Sequence, residues 1–123
     1  MTPMLISSFS ERSEITAVDG CRLRELLHPE RVAGAPAAYS LAVAMVDPGQ
    51  ATHPHALGQT EVYYLICGTG RMHLGDEVRA VQAGDAIVIP AHARQWIENT
   101  GSDVLEFIAL VSPPWRLEED RRA

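Results

Sequence analysis

The chain has 123 residues, 46% hydrophobic and 21% charged, enough to bury one core and too short for two ordinary domains, which run to about 100–150 residues each. A formal net charge of −6, with ten arginines and no lysine, argues against nucleic acid, whose binding needs clustered cations, and excludes Schiff-base chemistry and any lysine base. No stretch approaches the roughly 18 apolar residues of a membrane span, and Met1–Phe9 has neither the charged start nor the apolar run of a leader, so the cytoplasm is the expected location.

In chain order, almost every apolar run is strand-like. Residues 21–27 alternate over their first half, and Tyr39–Val46 is an Ala/Val/Met run ended by Asp47-Pro48-Gly49. Pro29–Ala38 between them reads as a loop. Glu61–Cys67 carries Val, Tyr, Tyr and Ile, all strand formers. Gly68-Thr69-Gly70 turns the chain into residues 71–74, and Gly75-Asp76 turns it into Val78–Val81. Ala86–Ile89, Arg94–Glu98 and Val104–Val111 follow, the last two separated by the turn cluster Asn99-Thr100-Gly101-Ser102. The charged tail from Trp115 is expected to form a helical turn or to fray. Short strands at this spacing predict an all-β sandwich or barrel. Cys21 and Cys67 are too few and too far apart for a disulfide framework or a zinc knuckle, and Cys67 is expected to be a buried small hydrophobe.

The chemistry concentrates at His53-Pro54-His55, six residues before Glu61. In an extended strand residues i and i+2 share a face, so the pair is expected to aim two imidazole nitrogens at one point, as a divalent metal requires. Gly49, His53, His55, Glu61 and Gly68 resemble the first motif of the cupin superfamily, and Gly84, Pro90, His92, Gln95 and Asn99 resemble the second. The resemblance spans about residues 40–111. It implies a double-stranded β-helix, or jelly-roll cupin barrel, as a single domain over residues 1–123. The barrel core would run from about 39 to 111, with extension strands in 1–38 and a short tail over 112–123.

The same resemblance implies one divalent transition metal per chain, Fe, Mn, Ni or Zn, with ligands drawn from His53, His55, Glu61, Gln59 and Gln95. Two registers stay open, because five residues separate His55 from Glu61 where the family usually has three or four. Glu61 keeps its distance to Gly68 and is the better ligand for a cation, whereas Gln59 sits at the shorter spacing. Gln95 stands where metal-binding cupins usually carry their last histidine, and either ligates weakly or hydrogen-bonds in the pocket. Tyr63 shares a face with Glu61 and is expected in the ligand pocket. His92 either lines the pocket mouth or is an exposed turn residue. His73 is expected to be a core or cross-strand histidine, Trp96 and Trp115 packing or dimer contacts, and Arg71 and Arg94 either solvated or binding an anion.

Three functional classes follow. The first is a metal-dependent oxygenase, isomerase or lyase acting on a small organic molecule. The second is a non-catalytic small-ligand-binding or sensor cupin whose metal is structural or absent. The third is a partner module working beside another enzyme. A homodimer through outward Val62, Tyr64 and Ile66 is expected, since small barrels of this kind have long edge strands.

Overall fold

The structure, a computed structural model, describes residues 3–123; the first two positions of the uncharged start lie outside them. Among the described residues eleven strands form in chain order: β1 (Ile15–Thr16), β2 (Arg22–Leu27), β3 (Ser40–Val46), β4 (His55–Leu57), β5 (Thr60–Cys67), β6 (Thr69–Leu74), β7 (Glu77–Gln82), β8 (Ala86–Ile89), β9 (Arg94–Asn99), β10 (Leu105–Ser112) and β11 (Asp120–Arg122). They build two antiparallel sheets, β1-β2-β3-β10-β5-β8 and β11-β4-β9-β6-β7. The expected long strands all form. Sequence patterning misses the short β1, β4 and β11, because two or three residues carry too little period-two signal to be recognised.

Alternation places the interior. Tyr63 and Leu65 of β5, Ile97 of β9, and Leu105 and Phe107 of β10 turn inward and are buried, which joins the two sheets through one core. Tyr63 and Phe107 pack with ring centroids 4.4 Å apart. Cys67 departs from expectation: it ends β5 exposed to solvent, while Cys21 is the buried cysteine. The tail makes the expected helical turn and then adds a strand. After a 3₁₀ turn at Leu117–Glu119 it forms β11, which pairs with β4 from Asp120↔Leu57 to Arg122↔His55. No helix among the described residues is long and apolar enough to cross a membrane.

Asn99 closes the β9–β10 turn. Its Nδ2 donates to the Val46 carbonyl at 2.9 Å and the Asp103 carbonyl at 2.8 Å, and its Oδ1 accepts from the Gly101 amide at 2.9 Å. Asn99→Ala would strand the buried Val46 carbonyl, at about 1–3 kcal/mol, while the part-buried Asp103 carbonyl and Gly101 amide can turn to water. The expected result is a lower urea midpoint with an unchanged m-value, a loss of about 2 kcal/mol overall.

Candidate functional site

The site forms where the sheets face each other. His55 opens β4 opposite Gln95 of β9, and Glu61 and Tyr63 stand two residues apart on the inward face of β5, so one sheet offers an imidazole and an amide to a carboxyl and a phenol from the other. Gln95 is fully buried. Its Nε2 donates to Glu61 Oε1 at 2.9 Å, and its Oε1 accepts the Tyr63 hydroxyl at 3.1 Å. With a carboxylate on one side and a phenol on the other, the amide has one satisfied orientation.

His55 sits between two aspartates that flank the barrel in sequence. Its Nδ1 donates to Asp120 Oδ1 at 2.8 Å, and Asp120 Oδ2 accepts the Trp115 indole N–H at 2.9 Å. Its Nε2 lies 3.4 Å from Asp19 Oδ2 and is buried without a hydrogen-bond partner. Asp19 in turn accepts the Cys21 amide through Oδ1 at 3.1 Å.

These contacts set the titrations. Burial pushes the Glu61 carboxyl up to about 7, against the lowering effect of the Gln95 donor and the His55 charge and with the repulsion of Asp19 and Asp120. Burial alone would pull the His55 imidazole down; the hydrogen bond to Asp120 and the charges of Asp19, Asp120 and Glu61 more than offset it, and the net shift is upward. Burial and the neighbouring carboxylates raise the Tyr63 hydroxyl and the Cys21 thiol, leaving both protonated at neutral pH. His55, Glu61, Tyr63, Asp19 and Asp120 all line one cavity of about 280 Å³.

Two of the expected ligands stand elsewhere. His53 is exposed and lies against Gly20, where a Cβ would come within 2.7 Å of its ring. The reason lies in the backbone: the strand begins only at His55, His53 spends its amide on the Asp19 carbonyl at 2.6 Å, and the inward phase slips by one between buried Thr52 and buried His55. The i, i+2 rule holds only within a strand, so it imposes no shared face on His53, which is absent from the cavity lining.

Gln59 is engaged with the tail. Its Nε2 donates to the Pro113 and Pro114 carbonyls at 2.8 and 2.7 Å, and its Oε1 accepts the Arg116 amide at 3.2 Å, which anchors the tail. His92 is an exposed turn residue at φ 71°, away from the cavity lining. His73 stacks on Trp96 at 3.5 Å and bonds Glu98, a cross-strand role. Arg71 pairs loosely with Glu98 and Arg94 is exposed, and neither lines the cavity, whereas Trp115 does.

Of the five expected ligands, His55, Glu61 and Gln95 converge. Among the described residues no three His, Cys, Asp or Glu side chains are placed to hold one metal ion. A divalent ion therefore does not fit the two-histidine, one-carboxylate set as these side chains stand. Asp19 and Asp120 escaped sequence reasoning. Asp19-Gly20 reads only as a turn, and Asp120 lies in a charged tail without periodicity.

The cupin domain family matches residues 42–111. The uncharacterized protein MJ1618 of Methanocaldococcus jannaschii is 39% identical over 103 residues, covering 82% of this chain and 80% of that protein. Among solved structures, a predicted oxalate decarboxylase of Thermotoga maritima superposes with a TM-score of 0.74 at 27% identity, over 89% of this chain and 99% of that one. The Streptomyces nucleoside dehydratase Pac13 superposes with a TM-score of 0.79 at 16% identity, over 98% and 92%, a likeness of fold alone. With its two facing antiparallel sheets and this family match, the chain belongs to the cupin family.

Proposed function

We propose that this cupin is a small-molecule lyase or isomerase that works by proton transfer between its own side chains and the substrate. The observation that carries the reading is His55: a buried imidazole on the cavity wall, held through Nδ1 by Asp120, with Nε2 free of any hydrogen-bond partner. Glu61 shares the cavity and titrates near 7, where a group serves as base and as acid at neutral pH. Gln95 fixes its position, and Tyr63 fixes Gln95.

In an elimination, ionised Glu61 takes a proton from a carbon beside a carbonyl, and His55 gives its Nε2 proton to the departing hydroxyl. One C–H and one C–O bond break, a C=C bond forms and water leaves. An isomerisation uses the first transfer and returns the proton to a neighbouring carbon. The orienting carboxylate on Nδ1 supports the imidazolium that the first half requires.

The test is to follow a panel of small β-hydroxycarbonyl compounds in D₂O by NMR with chelator-treated protein. Deuterium incorporation or water loss is expected to survive chelation and to fall by about 10²–10⁴-fold in Glu61→Gln and His55→Ala. Activity that disappears with the chelator and returns with added metal overturns the reading. Elemental analysis of protein purified without added metal is expected to give less than one ion per chain. A full equivalent lost in His55→Ala would instead support the metal-dependent reading.

Stability carries the same signature. Glu61 holds a proton in the fold between its ordinary 4.5 and about 7, so the native state binds more protons than the unfolded chain there, and stability falls as pH rises through that window. The raised His55 acts in the same sense: its contribution is complete below its ordinary 6.5 and is lost as pH climbs through its higher folded value. Melting temperatures from pH 4 to 8 are expected to show this decline, and Glu61→Gln to flatten it below pH 7.

We also assign the outer face bearing exposed Tyr64, Ile66 and Val88, with half-buried Val62, to contact with a second copy of the chain. Sedimentation is expected to give twice the 13.4 kDa chain mass, and Tyr64→Glu to give the single mass.

A further inference from the structure

We infer that the cavity selects neutral or cationic ring-sized molecules that offer hydrogen-bond donors, and turns away carboxylates and other anions. The inference rests on the proton-transfer reading for its choice of cavity and names the class of molecule that enters it. Its grounds are the charges in the lining and the shape of the walls. The polar end carries three carboxyl groups, Asp19, Glu61 and Asp120, around a single imidazole, His55, all nearly closed to solvent. The lining arginine, Arg31, is itself exposed and has its guanidinium forked onto Glu25, with Nη2 3.0 Å from Oε2. The polar end therefore has more anionic groups than cationic ones and no guanidinium to receive a carboxylate.

Much of the rest of the lining is apolar. Ala42 faces Ala109 across the β3–β10 ladder and Ala44 faces Phe107, so small side chains pave a floor beside one aromatic ring. Trp115 and Leu117 from the tail segment add a second wall. The 280 Å³ of space equals roughly nine waters at about 30 Å³ each, which suits one substituted ring. At the polar end, the Glu61 and Asp19 oxygens leave a donor-bearing substituent with acceptors to meet, and the unpartnered His55 Nε2–H is left for a hydroxyl or carbonyl oxygen. A small dicarboxylate such as oxalate, by contrast, would set its charges against three carboxyl groups and leave the apolar floor uncovered.

Benzamidinium, benzamide and benzoate share one ring and differ in charge, and oxalate adds the dianion. Each would be titrated into the full-length protein at pH 8, with affinity read calorimetrically and location read from the Trp115 indole N–H in NMR spectra. Benzamidinium is expected to bind at least tenfold tighter than benzamide and at least a hundredfold tighter than benzoate or oxalate, shifting the Trp115 signal. Asp19→Asn and Glu61→Gln, each near-isosteric, are expected to shrink the benzamidinium-to-benzoate ratio about tenfold. Benzoate or oxalate binding as tightly as benzamidinium overturns the inference. So does a Trp115 signal that no probe moves, or a ratio that neither variant changes. Turnover plays no part in this experiment, so an inverted ranking leaves the proton-transfer reading standing. Loss of that reading in the chelator assay, in turn, leaves a charge-selective cavity standing.

Discussion

A carboxylic acid enclosed by an apolar barrel must be protonated, partnered or expelled, because an isolated buried charge is among the costliest arrangements in a protein. Glu61 imposes that constraint here, and the interior is organised around it. Gln95 supplies one donor, and being fully enclosed itself, it needs Tyr63 to complete its own hydrogen bonding. His55 supplies the nearby positive charge, and Asp120 and Asp19 keep that charge on the ring. Removing any one member leaves another buried polar group unsatisfied, so these side chains stand or fall as a unit.

The same constraint accounts for the tail. Asp120 reaches His55 because β11 pairs with β4, and β11 reaches β4 because Gln59 secures the Pro113–Arg116 segment through three hydrogen bonds. A residue that the sequence offers as a metal ligand fastens the segment that brings in the partner of His55. The link from sequence to chemistry thus passes through a loop anchor whose role depends on contacts more than fifty residues apart.

How much could be read beforehand divides along physical lines. The long strands were legible, since residues such as those of β3, β5 and β10 alternate or run apolar over seven or eight positions. Glu61, Tyr63 and Gln95 were legible as inward neighbours because each sits inside a long paired strand, where the face of a side chain follows from its position, whereas His55 was legible only through its motif. His53 departs from the expected inward face for the converse reason: it precedes the ladder, next to Pro54, and the phase of the chain changes there. Asp19 and Asp120 lie in a turn and at the start of a three-residue strand, where nothing local announces which way a side chain points. Cys67 was placed in the core by its apolar neighbours, but it lies at a strand end beside the Gly68 turn and meets solvent.

The position of those two aspartates has a consequence for kinship. The segment that matches the family, residues 42–111, contains His55, Glu61, Tyr63 and Gln95, yet neither Asp19 nor Asp120. Likeness across the barrel alone is therefore silent about the charge surrounding the imidazole. Two proteins could share every inward-facing barrel residue and diverge in reactivity through a turn before the barrel and a short strand after it. The barrel residues place the imidazole, and a turn before the barrel and a short strand after it set the charge around it.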